Sequence, residues 1–194
     1  PQIRAQGHSA VIVDLTGECV SRYYQEDRDV LLNPFDARSV SWNPWRECET
    51  RSQMDALVES LIPGNTHQDP FWNEAGRTLL RVGMERLSQL SQEDPELLMH
   101  LLCVSDLKDL SLFFAGTEAA SLTAPNNEKT TNSIRSTLTT TLSGIKLLRS
   151  DPNGFSIRSW VHQVASMNPA DTSPKPWLFL SATPDQRKTL KPLL

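Results

Sequence analysis

Two residue periodicities alternate along this 194-residue chain, and their order constrains the fold more than any single side chain does. Short apolar runs lie near both ends: the β-branched Ser9-Ala-Val-Ile-Val-Asp14, then Asp29-Val-Leu-Leu-Asn33 and Pro176-Trp-Leu-Phe-Leu-Ser181. A continuous run such as the first suits a parallel strand buried on both faces. It follows a Gly7-His8-Ser9 turn, ends at Asp14-Leu-Thr-Gly17-Glu18 and precedes a short helix over residues 19–24. The third run leads through Thr183-Pro184-Asp185 into another helix. Strand, turn and helix in succession are the grammar of an α/β sheet.

Between these runs the period changes. Asn43-Pro44, Asp69-Pro70 and Asp94-Pro95 each set an N-cap residue before a proline at the first helical position. Met54, Leu57, Val58 and Leu61 share one helical face, as do Trp72, Ala75, Leu79 and Val82 in the next segment. Leu97, Leu98, Leu101 and Leu102 line a third helix, and residues 107–114 form a shorter fourth. Ile134, Leu138, Leu142 and Ile145 line a long last helix, capped by Asn126 or Asn127 with Glu128 in its first turn. Gly76 and Gly83 lie on one helix, at the spacing of a close helix–helix contact. The pattern predicts an α/β domain over residues 1–43 and 150–194, interrupted by an all-α domain over 44–149. Residues 168–176, with three prolines, read as a loop.

Composition narrows the chemistry. No run of about 18 apolar residues is present, so no segment is expected to span or touch a membrane. Cys19, Cys48 and Cys103 are too scattered for a disulfide framework or a zinc site, which fits reduced thiols in a cytoplasmic compartment. His8, His67, His100 and His162 show no ligand spacing, so no metal site is expected. The net charge of −4 is unevenly spread. Residues 44–124 hold 13 acids and 6 bases, whereas residues 126–149 hold one acid, Glu128, and four bases.

No G-x-x-x-x-G-K-[ST] loop is present, so the chain lacks a cradle for nucleotide phosphates and no catalytic residue is assigned. Ligands of α/β sheets bind at the carboxyl ends of the strands. Asp14, Gly17, Glu18, Ser181 and Thr183 occupy such ends. They read either as the nucleotide side of the sheet or as a helix cap with a tight turn. The last long helix carries Lys129, Asn132, Ser133, Ser136, Thr140 and Ser143 opposite its apolar stripe. Cations, hydroxyls and an amide without acids are what phosphate contacts need. Lys129, Ser133, Arg135 and Ser136 are the DNA-binding candidates, against an ordinary solvated face. The acidic helices, with Glu85, Glu93 and Glu96, favour a basic protein partner.

Several short motifs then occur in a telling order: Val11-Ile-Val-Asp14 with Gly17-Glu18, Leu32-Asn-Pro-Phe-Asp-Ala-Arg38, Trp42, and Trp45-x-Glu47-Cys48. Asp69-Pro-Phe-Trp72, Glu128-Lys-Thr130-x-x-Ser-Ile-Arg135, Phe155-Ser-Ile-Arg-x-Trp160, Trp177-Leu-Phe-Leu-Ser181 and Leu190-Lys-Pro192 follow. Together they resemble the conjugative coupling proteins of type IV secretion systems over nearly the whole chain. The resemblance implies a partial RecA-like nucleotide-binding domain interrupted by an all-α domain. It implies a P-loop ATPase that forms homo-hexameric rings at the cytoplasmic side of the bacterial inner membrane. Such a protein pumps single-stranded DNA with its relaxase toward secretion-channel components. ATP and Mg²⁺ would serve the full-length protein. The family's Walker A and Walker B motifs and its membrane anchor are expected outside this segment, which should be inactive alone and bind neither cofactor tightly. The rival expectation is a non-catalytic module that docks a relaxosome or another basic protein. Two positions depart from the family pattern: Val20 replaces an aromatic residue, and Ser181-Ala-Thr183 replaces Ser-Ser-Asn.

Overall fold

The computed structural model describes residues 2–64, 69–168 and 173–193. Three strands, β1 (Ala10–Asp14), β2 (Val30–Leu32) and β3 (Trp177–Ser181), form a parallel sheet in the order β1-β3-β2. Ala10 pairs with Trp177 and Asp14 with Ser181 on one side of β3, and Val30 pairs with Leu178 on the other. The last strand in sequence is therefore central in space. Everything between Leu32 and Trp177 is one long crossover, which parallel pairing requires. Phe179 and Leu178 in β3 are fully buried. The expected two-sided burial fails for β1: Val11 is 51 % and Val13 53 % exposed. As an edge strand it has a neighbour on one side only, and no described element covers its Val11/Val13 face.

The sheet is tied at the amino ends of its strands by Asp29, which is 6 % exposed. Its carboxylate accepts from Trp177 N at 3.0 Å, Gln25 N at 2.9 Å and Arg4 Nη2 at 2.7 Å. Arg4 comes from α1 (Gln2–Ala5) and also stacks over the Trp177 ring, 4.0 Å from its centroid. Val20 from α2 (Glu18–Tyr23), Leu31, Trp177 and Phe179 form the small core beneath.

The crossover builds the larger core. It contains α3 (Arg51–Leu61), α4 (Pro70–Gln89), α5 (Pro95–Cys103), α6 (Leu107–Phe114) and α7 (Glu128–Thr141). Their apolar faces share one cluster that includes Val58, Leu79, Leu98, Leu110, Ile134 and Leu138. The two spaced glycines bring these helices close: a Cβ on Gly76 would meet Leu138 Cδ2 at 3.3 Å, and one on Gly83 would meet Leu98 Cδ1 at 2.9 Å. Trp72 is half-buried against this core. Trp45 is buried, and its indole N–H donates to Met84 O at 3.0 Å.

Helix starts differ from the proline signals in one place. Asn43-Pro44 opens only a short 3-10 turn, Pro44–Glu47, with Asn43 Oδ1 accepting from Trp45 N. The next helix begins instead at a capping box, where Thr50 and Gln53 bond each other's backbone N–H. At α7 the expected asparagine side-chain cap is not made; Asn127 Nδ2 donates to Ser121 O. The helix grows from the 3-10 turn Pro125–Asn127, so that turn supplies the entry geometry. A further helix, α8 (Ile157–Ala165), was not expected from periodicity. Ser156 caps it by accepting from Ser159 N at 3.1 Å.

The chain enters and leaves the helical part at one neck. Trp42 and Phe155 form a parallel bridge, in which Phe155 N donates to Ser41 O at 2.6 Å and Asn43 N to Phe155 O at 3.1 Å. The Glu47 carboxylate accepts from Trp42 Nε1 at 2.8 Å, Ile157 N at 2.6 Å and Arg158 N at 3.0 Å. Arg158 Nε returns a bond to Glu47 O at 2.9 Å.

Candidate nucleotide-side and nucleic-acid surfaces

The Asp14 carboxylate gathers the turn that follows β1. Asp14 is 3 % exposed. Its Oδ1 accepts from Thr16 N at 3.2 Å, Thr16 Oγ1 at 3.1 Å and Gly17 N at 3.0 Å, and its Oδ2 from Val20 N at 2.9 Å. Gly17 has φ of 79°, the left-handed region where a side chain is strained. Asp14 thus shapes a tight turn and caps α2 at the carboxyl end of β1. Glu18 is exposed in the first turn of α2, and Ser181 is buried at the end of β3. Thr183 Oγ1 donates to Asp185 Oδ1 at 2.5 Å, and a Cβ on Gly17 would lie 3.6 Å from Thr183 Cγ2. Burial alone would raise the Asp14 carboxyl, yet the backbone N–H of Val20 and the Thr16 and Gly17 donors hold it below its ordinary 3.8.

These residues do not fit a magnesium site. The Asp14 oxygens are consumed by the turn. Among the described residues no cluster of His, Cys, Asp and Glu could hold a metal ion. His67 lies outside the described residues. Burial, then the nearby Glu47 charge, pushes the Cys48 thiol up to about 11, which removes it as a nucleophile.

The nucleic-acid candidates split. Lys129, Asn132, Ser133, Ser136 and Thr140 are exposed on one side of α7, whereas Ser143 is half-buried. Ser133 Oγ donates to Lys129 O and Thr140 Oγ1 to Ser136 O, both at 3.0 Å, so these hydroxyl protons face their own helix. Among the described residues Lys129, Asn132 and Ser136 have no side-chain partner. Arg135 turns away. Its Nε donates to Leu102 O at 3.0 Å and its Nη2 to Ser105 O, capping the C-terminus of α5. A cation over the last carbonyls of a helix is a stabilising contact in itself. The motif spacing showed only that Arg135 lay on α7; the orphan carbonyls it meets belong to a distant segment.

The acidic candidates divide similarly. Glu85 pairs with Arg81 and Arg51 in a network that reaches Asp55 and Glu118. Glu93 accepts from Ser88 Oγ, and Glu96 is exposed.

The fold is thus a small parallel sheet whose long crossover is a helical bundle held at one neck. Residues 1–194 match, along their whole length, the family described as the type IV secretion-system coupling protein DNA-binding domain. The chain is 34 % identical to the coupling protein TraD of Escherichia coli strain K12, over 98 % of its own length and 26 % of TraD. It superposes on the bacterial conjugative coupling protein TrwBdeltaN70, unbound form, with a TM-score of 0.79 and 29 % identity, covering 97 % of this chain and 43 % of that one. TrwB in complex with ADP and Mg²⁺ superposes with a TM-score of 0.80 over 97 % of this chain and 44 % of that one. This chain belongs to the type IV secretion-system coupling protein family. It spans about a quarter of the length of TraD.

The Asp14 turn sets a pH dependence. Its carboxyl titrates lower folded than unfolded, so its stabilising contribution is complete above the unfolded value near 3.9 and disappears as pH falls through the folded one. Asp14→Asn should therefore lose about 1–3 kcal/mol at pH 7 and show a flatter loss of stability below pH ~4, read from urea midpoints across pH. An unchanged acid limb would contradict the assignment.

Proposed function

We propose that this chain is the part of a conjugative coupling protein that meets single-stranded DNA. In this reading it works inside an ATP-driven, RecA-like translocase that pumps the strand, with its relaxase, into a type IV secretion channel. The observation that carries the reading is the exposed face of α7. There a lysine, an amide and hydroxyls sit without an acid after Glu128, on a chain that matches the family's DNA-binding domain throughout. Residues 44–149 would be the helical domain facing the DNA, and residues 1–43 and 150–194 part of the nucleotide-binding domain. A homo-hexamer would align six copies of Lys129 along one channel, at the cytoplasmic side of the inner membrane. No described helix is long and apolar enough to cross a membrane.

ATP and Mg²⁺ would be held by the full-length protein through residues other than these. TrwB structures with ADP and Mg²⁺ and with the ATP analogue ADPNP support nucleotide use in the family. The strand ends here offer turns and caps, with no phosphate cradle. The 194-residue chain alone should thus show no ATP hydrolysis; turnover that survives repurification would contradict this.

A second reading, a non-catalytic module docking a relaxosome or another basic protein, draws on the acidic helices. Glu96 is its best-placed contact, because Glu85 and Glu93 are already engaged.

Salt dependence separates the two. Each phosphate neutralised on single-stranded DNA contributes about 0.7 to the slope of log K against log salt. In the assembled full-length protein, Lys129→Ala should weaken oligonucleotide binding and flatten that slope. Arg135→Ala should instead lower the melting temperature, through the lost α5 cap. If Lys129→Ala changes neither affinity nor slope, the α7 face is structural and the docking reading replaces the first.

A further inference from the structure

The short helix that follows β3, α9 (Arg187–Leu190), reaches both the strand ends and the helical bundle. Just before it, Gln186 Oε1 accepts from Asn33 Nδ2 and from Thr183 N, both at 3.1 Å. Arg187 Nε donates to Leu15 O at 2.9 Å. Leu15, Asn33 and Thr183 follow β1, β2 and β3, so two side chains gather the loops at the carboxyl ends of all three strands.

The other end of the segment presses on the residues that follow α7. Thr189 O accepts from Ser143 Oγ at 3.5 Å. Gly144 lies directly against the same carbonyl: a Cβ there would stand 2.8 Å from Thr189 O and 3.2 Å from Leu193 Cδ1. Leu190 is 1 % exposed, and Leu193 packs against the core of the bundle. Backbone meets backbone at this point, so a shift of one side displaces the other. Close-packed interiors transmit strain in this way.

Beneath the segment lies an apolar cavity of about 50 Å³, lined by Leu32, Val40, Trp42, Ser181, Leu190 and Leu193. It has room for about one or two waters but few polar groups to hold them. Its place under Leu190 and Leu193 gives those side chains space to repack.

We propose that residues 186–193 are a strut that couples the strand-end loops to the C-terminal end of α7. Its meaning rests on the translocase reading: nucleotide state would be felt at the strand ends, and single-stranded DNA on the α7 face. The coupling is reciprocal, since linkage between two sites acts equally in both directions.

Hydrogen exchange on the 194-residue chain tests the strut without nucleotide or DNA. Gly144→Ala drives a methyl against Thr189 O, and Leu193→Ala removes the apolar end of the strut without a clash. Both should raise exchange at the Gly17, Val20 and Thr183 amides by about fivefold or more, as a coupling above about 1 kcal/mol implies. The Gln25 and Trp177 amides, held by Asp29 at the opposite strand ends, should keep their rates. If Gly144→Ala does not fold, Leu193→Ala decides. In the full-length protein, the same variants should shrink the stimulation of ATP turnover by single-stranded DNA by about fivefold or more, with each ligand's own affinity kept. Unchanged strand-end exchange in folded Leu193→Ala overturns the strut. A wild-type protein whose turnover ignores DNA overturns the translocase reading, whatever the exchange data show.

Discussion

One carboxylate fixes the neck between the two parts of this molecule. Glu47 takes three N–H donors, from the Trp42 indole on the way into the helical bundle and from Ile157 and Arg158 on the way out. It sits at the N-terminus of α8, where the helix dipole favours negative charge. Each of its partners would otherwise be a part-buried donor without an acceptor, at a cost of about 1–3 kcal/mol apiece. The Trp42–Phe155 bridge sets the two chain segments side by side, and Glu47 locks them there. A crossover of more than a hundred residues is tolerable because its ends are fixed next to each other. The sheet is then asked to close only a short gap.

The same logic runs through the rest of the fold. Asp29 gathers the amino ends of the sheet, Asp14 the turn after β1, and Gln186 the loops after β2 and β3. Each is a side chain whose oxygens satisfy backbone or amide N–H groups, drawn from separate segments at Asp29 and Gln186 and from one turn at Asp14. Around three short strands there is little apolar area to specify the arrangement, and the small cluster of Val20, Leu31, Trp177 and Phe179 reflects that. Polar contacts of fixed direction supply the specificity. The bundle has the opposite character, with a broad leucine-rich core and two glycines that let α4 approach α5 and α7.

Much of this was legible in the sequence. The apolar spacing located α3 to α7, although α7 stops at Thr141, short of the Leu142 and Ile145 assigned to it, and the short apolar runs located all three strands. Periodicity reports burial on one's own element, which is why it worked there. It misplaced the burial of β1, because an apolar run looks the same on an edge strand as in the centre of a sheet. It passed over α8, whose start depends on Ser156 and on a carboxylate far away in sequence. The proline signal at Asn43 named a start but not its length, and the capping box at Thr50 marked the true helix. Arg135 shows the limit most clearly. Its charge suggested phosphate, whereas the structure turns it onto the carbonyls of Leu102 and Ser105. Charge is visible in sequence; its partner at a separation of some thirty residues is not. Gly144, silent in the sequence, gains its meaning only from Thr189 O above it.

The union of sheet and bundle rests on the neck, and unfolding followed at two places tests it most directly. Hydrogen exchange measured across a urea series can follow the amides of β3 and of α4 in the same molecules. The wild-type chain should open both with a single shared midpoint. In Glu47→Ala the two should separate, with β3 opening at lower urea while α4 keeps its protection. Coincident and unshifted midpoints in Glu47→Ala would contradict the claim that this carboxylate joins the sheet to the bundle.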